Sequence, residues 1–179
     1  AKRTSGFKIN EDVVIPMRAI PDFALYLERL NQEYMARAYR TALKAAENLP
    51  GRPEEDNRIF EELAYAGRII QGEIPTSDLS DEELRMHAAL FFSSLTEDFP
   101  ALLEKIAGIE KYMADSAICV ASHMQAGDGN WPLNIPVNSN DPAMLHNAET
   151  VAALVMGKAM EVGGAVTGEH GIGITKIAF

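Results

Sequence analysis

Two histidines near the C-terminus each lie among glycines, with a carboxylate close in sequence. His123 precedes the segment Gly127–Asn130, and His170 follows Glu169 within Gly168–Gly173. Glycine tolerates positive φ and lets a ligand approach the main chain, while imidazole changes charge near neutral pH and binds metals. The pattern therefore predicts that the two segments form walls of one site for acid–base or metal chemistry.

Composition and charge limit the classes of protein that can carry such a site. The chain has 179 residues, 47% of them hydrophobic, and a formal net charge of −10. This length suits one domain with an insertion, and the charge argues against nucleic acid and anionic membrane surfaces as partners. A single cysteine, Cys119 in an apolar run, excludes an internal disulfide and fits a reducing compartment. We expect a cytoplasmic, non-transmembrane protein, with any membrane association made through its partners.

The first half of the chain is predicted to be one strand followed by helices. A β-rich apolar run at 11–17 predicts a strand, and Pro21 opens a helix that ends at Pro50–Gly51. Residues 51–114 are predicted to be wholly helical, with Ser80 and Glu83 forming a capping box at the start of one helix. His87, in the middle of that helix, is predicted to be structural.

After residue 114 the hydrophobic period changes. Residues 117–122 and 133–137 are predicted strands, Pro142 begins a helix that ends at Gly163–Gly164, and 165–167 is a last short strand. Without the helical segment the order is β-α-β-β-α-β. We therefore predict an α+β fold, a ferredoxin-like domain with a large all-helical insertion.

Taken together and in this order, the motifs resemble those of one family. The run Glu11–Pro16, the histidine-containing Gly127–Asn130 hairpin and Gly168–Gly173 resemble the C-terminal cap domain of FAD-linked oxidases. That family includes glycolate oxidase, D-lactate dehydrogenase and D-2-hydroxyglutarate dehydrogenase. The resemblance covers roughly 10–30 and 117–176, and not the helical insertion. Each motif alone has a structural explanation, as a tight turn or a strand-end histidine, but their joint occurrence favours a site.

The resemblance implies an activity and a role for each residue. The chain, 1–179, would be a cap domain and a fragment of a longer polypeptide, with 51–114 as the insertion. It would close the substrate site of a FAD-dependent oxidoreductase acting on a 2-hydroxy acid, with FAD held mainly by a separate domain. His170 would be the catalytic base during hydride transfer to the flavin. Residues near substrate and flavin would be His123, Gly127, Asp128, Gly129, Asn130, Glu169 and Gly171.

In metal-dependent members of the family, two histidines and a glutamate hold a divalent metal. Here these ligands would be His123 and Glu169, but Pro132 occupies the position of the second histidine. Two protein ligands fall below the three typical of a catalytic zinc site. We therefore expect no stable metal site, and His146 could replace the missing ligand only if its helix starts beside the hairpin.

Several points stay open at the level of sequence. The substrate carboxylate needs a cation, and the candidates are Arg3, Lys8, Arg18 and Lys176. One rival hypothesis is a metal-dependent hydrolase using His123, Asp128, Glu169 and His170. Another is an interaction module in which 51–114 docks a partner subunit or an Fe–S domain that accepts electrons.

Overall fold

The computed structural model describes residues 6–51, 56–122, 129–138 and 140–166. The chain divides into two compact units, a sheet unit (Ala1–Leu27 with Ile118–Phe179) and a helical unit (Glu28–Ala117). In chain order the elements are β1 (Gly6–Val14), a 3-10 turn (Met17–Ala19), α1 (Ile20–Glu47), α2 (Arg58–Gln71), α3 (Asp81–Asp98), a second 3-10 turn (Pro100–Leu102), α4 (Leu103–Ser116), β2 (Ala121–Ser122), β3 (Asn130–Asn138) and α5 (Pro142–Glu161).

The sheet has the strand order expected of a ferredoxin-like domain. β3 pairs antiparallel with β1 on one side and with β2 on the other. On the far edge of β1, Val14 forms an antiparallel bridge with Ala165. If Ala165 is counted as the fourth strand, the order is 4-1-3-2 with every neighbour antiparallel. The predicted α+β, β-α-β-β-α-β arrangement is confirmed.

One face of the sheet belongs to the hydrophobic core, and the other carries polar side chains and prolines. Residues directly opposite in an antiparallel pair share a face. The pairs Ile9–Ile135 and Val13–Trp131 lie on the core face, against which α5 packs. The apolar residues that α5 buries are Met144, Ala148, Val151, Ala152, Val155, Met156 and Ala159. The opposite face carries the pairs Lys8–Pro136, Asn10–Asn134 and Asp12–Pro132.

β2 is shorter than the strand predicted over 117–122. The hydrogen bond from Ile15 N–H to the Gly129 carbonyl shows that odd residues of β3 point their backbone groups toward β1. Even residues therefore point toward β2, and two of them, Pro132 and Pro136, have no N–H to donate. Among the described residues the ladder is confined to Ala121 and Ser122, since Pro136 offers no donor to continue it ahead of Ala121.

β1 and the strand predicted at 165–167 also differ in extent from their predictions. β1 begins at Gly6 rather than residue 11 and ends at Val14, ahead of Pro16. The strand predicted at 165–167 is reduced, among the described residues, to the bridge at Ala165. The pattern located both strands, and pairing with β3 extends β1 back to Gly6.

The helical unit is built from most of α1 together with α2, α3 and α4. Its core is one apolar cluster whose largest fully buried members include Tyr39, Leu43, Ile59, Ile69, Leu84 and Phe92. The predicted capping box is confirmed, since Ser80 Oγ accepts from the Glu83 N–H and the Glu83 carboxylate accepts from the Ser80 N–H. The unit contains all of residues 51–114 and extends back to Glu28.

Candidate functional site at the carboxyl end of β1

Gly129, in the first glycine-containing segment, and Ala165, ahead of the second, both approach β1 at its carboxyl end. Ile15 donates its N–H to the Gly129 carbonyl at 2.9 Å, and Val14 exchanges two 2.9 Å hydrogen bonds with Ala165. Gly129 lies within the first segment, and Ala165 is three residues before Gly168. Gly129 and Ala165 are therefore held by two consecutive residues, Ile15 and Val14, at the end of β1.

Two glycines allow this close approach. Gly129 has φ +73°, and a Cβ there would lie 2.5 Å from the Ile15 carbonyl oxygen. A Cβ on Gly164 would overlap the Val14 carbonyl oxygen and lie 2.8 Å from that of Ala159. A side chain at position 129 or 164 would push the backbone there away from the Ile15 or Val14 carbonyl. Sequence reasoning selected Gly129 for its motif, but Gly164 only as a helix stop.

The first segment is also anchored in the core through its neighbours. Asn130 is buried and pairs with Val14, and Trp131 pairs with Val13 on the core face. The Trp131 and Phe23 rings meet edge to face, with centroids 5.1 Å apart. This contact holds the start of β3 against the first turns of α1. It therefore helps to fix the position of the backbone at Gly129 and Asn130.

Of the predicted site residues, the structure describes Gly129 and Asn130, and it places both at the end of β1. The residues outside the described part of the chain are His123, Gly127, Asp128, Glu169, His170 and Gly171. Their predicted roles stay predictions.

At the position of the family's second metal ligand, the described residues do not fit a divalent metal. Pro132 has no donor atom, and the residue directly opposite it is Asp12, which is 2% exposed. No group of three His, Cys, Asp or Glu side chains with metal-ligand geometry occurs within the described ranges. His146 is exposed near the start of α5. Asp12 is a buried polar residue beside this position that sequence reasoning did not select.

The helical unit has a polar cluster of its own, which sequence reasoning missed. The Tyr39 hydroxyl donates to Glu62 Oε2 at 2.8 Å, and the same oxygen lies 2.7 Å from Nε2 of His87. Burial, followed by the hydrogen bond to Glu62, raises the pKa of Tyr39 well above its ordinary value. The Tyr65 ring stacks obliquely on His87, with centroids 5.2 Å apart. His87 joins α2 to α3, in agreement with its predicted structural role.

A shallow groove of about 470 Å³ lies elsewhere in the sheet unit, between the start of α1 and the outer side of α5. Tyr26 donates to the Leu154 carbonyl at 3.3 Å, and Lys158 pairs with Glu161 at 2.7 Å. Neither of the described site residues, Gly129 and Asn130, lines this groove. Within the described part of the chain, no helix is long and apolar enough to cross a membrane.

Comparison with known proteins identifies the class to which this fold and site belong. Residues 85–179 match the family model described as FAD linked oxidases, C-terminal domain. The chain belongs to this family, and the predicted resemblance is confirmed. The match begins inside α3, so it includes helical residues that the motif comparison had left out, and it does not include β1.

Individual relatives, matched over shorter stretches, are also oxidase subunits. The chain is 37% identical over 78 residues to glycolate oxidase subunit GlcD of Escherichia coli K12, covering 44% of this chain and 15% of that protein. It is 31% identical over 93 residues to glycolate oxidase subunit GlcD of Bacillus subtilis strain 168, covering 49% and 19%. The chain therefore spans less than a fifth of the length of these relatives.

Proposed function

We propose that this chain is the substrate-binding cap portion of a FAD-dependent oxidoreductase that oxidises a small 2-hydroxy acid, such as D-lactate or glycolate. The observation that carries the proposal is the convergence of Gly129 and Ala165 on Ile15 and Val14. That convergence, in a member of the FAD-linked oxidase family, supports one site containing the histidine of each segment.

In this proposal the protein residues bind, orient and deprotonate the substrate. His170 removes the hydroxyl proton, and the flavin, when bound, accepts the hydride from the substrate α-carbon, so that a 2-oxo acid is formed. His123, Asp128, Asn130 and Glu169 surround the substrate. The glycines at 127, 129 and 171 let the main chain come close to it.

The proposal includes no metal. Pro132 supplies no ligand, and His123 with Glu169 would leave a metal with two protein ligands. The proton transfer assigned to His170 needs only an imidazole whose pKa lies near the working pH.

The proposal also includes partners. FAD is bound mainly by a separate domain of the same polypeptide or complex, since the sequence contains no Gly-x-Gly-x-x-Gly motif of the kind that binds dinucleotides. An Fe–S protein is our candidate for the acceptor that would take electrons from the flavin. The single cysteine supports a cytoplasmic setting.

The test is anaerobic flavin reduction in the flavoprotein that contains this chain. We expect D-lactate or glycolate to bleach the flavin absorbance, whereas the matched 2-hydroxy amide bleaches it far more slowly. A flavoprotein that no 2-hydroxy acid reduces would contradict the proposal. One equivalent of tightly bound metal, together with hydrolytic activity independent of flavin, would favour the metal-dependent hydrolase instead.

A further inference from the structure

Arg18 lies beside the chain that leads into the second glycine segment. It belongs to the 3-10 turn after β1, which is closed by a 2.8 Å hydrogen bond from Ala19 N–H to the Pro16 carbonyl. Its Nη2 lies 3.9 Å from where a Cβ on Gly163 would be. Gly163 directly precedes Gly164, the residue at which a Cβ would overlap the Val14 carbonyl oxygen. The guanidinium thus lies near the end of β1 to which Gly129 and Ala165 hydrogen-bond.

The other described cations of the sheet unit are placed differently. Lys158 is paired with Glu161 and lies 5.6 Å from the Tyr26 ring centroid. Lys8 lies on β1 six residues before Val14, a distance of about 20 Å along a strand. Arg18 is exposed and forms no ion pair with any residue in the described part of the chain.

A purely structural role for Arg18 would be to neutralise the C-terminal end of α5. The carbonyls there already have backbone donors, since Gly163 N–H bonds to Met160 and Gly164 N–H bonds to Ala159. A helix end also needs only a positive charge, which lysine would supply equally well. A carboxylate can accept two parallel N–H···O bonds from one guanidinium, and arginine alone among the cationic side chains provides this bidentate fork.

We propose that Arg18 binds the carboxylate of the 2-hydroxy acid, and this inference rests on the proposed function above. A protein of net charge −10 repels anions overall, so an anionic substrate needs a local cation at the site. Arg18 holds the carboxylate by two parallel N–H···O bonds and fixes which way the α-carbon faces.

The test compares Arg18→Gln, Arg18→Lys and the control Lys158→Gln in the complete flavoprotein. For Arg18→Gln we expect kcat/KM with the 2-hydroxy acid to fall roughly 10- to 100-fold, the range for a lost hydrogen bond to a charged group. With the matched 2-hydroxy amide it should stay near the wild-type value. In Arg18→Gln the affinity for oxalate, a carboxylate probe measured by calorimetry, should fall together with kcat/KM for the acid. Arg18→Lys should recover part of the loss, and Lys158→Gln should match wild type in every measurement.

The outcomes separate this inference from the proposed function. Suppose that the wild-type protein oxidises the acid, and that Arg18→Gln loses activity equally on the acid and on the amide. This result would overturn the inference and leave the proposed function standing. Full recovery by Arg18→Lys would also overturn it, because charge alone would then suffice. Wild-type protein that oxidises no 2-hydroxy acid would overturn both.

Discussion

The two units position their polar groups by different means. In the sheet unit the described part of the candidate site is held by main-chain contacts, since Gly129 and Ala165 hydrogen-bond to Ile15 and Val14. In the helical unit the polar contacts run between side chains, as in the Tyr39–Glu62–His87 cluster. The unit with the denser side-chain network is therefore not the one that carries the candidate site.

The net charge is also distributed unequally between the two units. Residues 28–117 hold 10 basic and 18 acidic side chains, a net of −8, so the rest of the chain contributes only −2 of the total −10. An anionic substrate would meet much weaker repulsion in the sheet unit. The helical unit's acidity instead favours solubility or a basic partner.

A pair of histidines, one from each unit, gives the sharpest test. In the complete flavoprotein His170→Ala should slow flavin reduction by roughly 10²–10⁴-fold, the usual contribution of a positioned base. His87→Ala should leave that rate near wild type, because His87 contacts Glu62 and Tyr65 in the helical unit. Stopped-flow absorbance under anaerobic substrate measures both rates. Equal losses would mean that the base has been assigned to the wrong residue.

A pair of glycines tests whether main-chain contact is what holds the site. Gly164→Ala should lower the free energy of unfolding by about 2–3 kcal/mol, because the new methyl group overlaps the Val14 carbonyl. Gly108→Ala, in α4 with open space around it, should instead raise it by about 0.5–1 kcal/mol. Urea titrations followed by circular dichroism measure both. A neutral Gly164→Ala would show that the bridge at Ala165 is not needed.

Removing the Tyr39 hydroxyl probes the side-chain network. Tyr39→Phe should lower the free energy of unfolding by about 1–2 kcal/mol at neutral pH, because Glu62 loses a buried donor. Thermal unfolding of the two proteins measures this loss. Substrate oxidation should be unchanged, and a fall in its rate would contradict the division between the units.

The same substitution predicts a pH effect. Because the folded pKa of Tyr39 is raised, its contribution to stability is complete below the unfolded pKa, about 10, and declines as the pH rises above it toward the folded value. Wild-type stability should therefore fall more steeply than that of Tyr39→Phe above about pH 10. Parallel slopes would show that Tyr39 ionises as readily in the folded protein as in the unfolded chain.

The smallest effect concerns the cap of α3. Ser80→Ala should cost about 1 kcal/mol of stability. Hydrogen bonds from the Ser80 N–H and hydroxyl lower the pKa of Glu83, so its contribution is present above the unfolded pKa, about 4.3, and is lost as the pH falls through the folded one. The difference in melting temperature between wild type and Glu83→Gln should vanish in acid. A difference that persists there would contradict the capping role.

Local chemistry explains what could be predicted from the sequence. The Ser80 cap and Pro142 at the start of α5 depend on neighbouring residues, and both are confirmed. The Tyr39–Glu62–His87 cluster joins three helices, and no local spacing indicates such a contact. The truncated β2 was visible in principle, since Pro132 and Pro136 both occupy even positions of one strand, but the direction of their missing donors depends on the register with β1.

Trp131 has an experimental use that follows from its position. It is the chain's single tryptophan, it is buried, and it directly follows Asn130. Its fluorescence therefore reports on the sheet unit alone, whereas the far-ultraviolet dichroism of the helices is weighted toward the helical unit. Following one denaturation with both signals would show whether the two units lose their structure together or in separate steps. Quenching of the same emission would also provide a label-free signal for a ligand that reaches the end of β1.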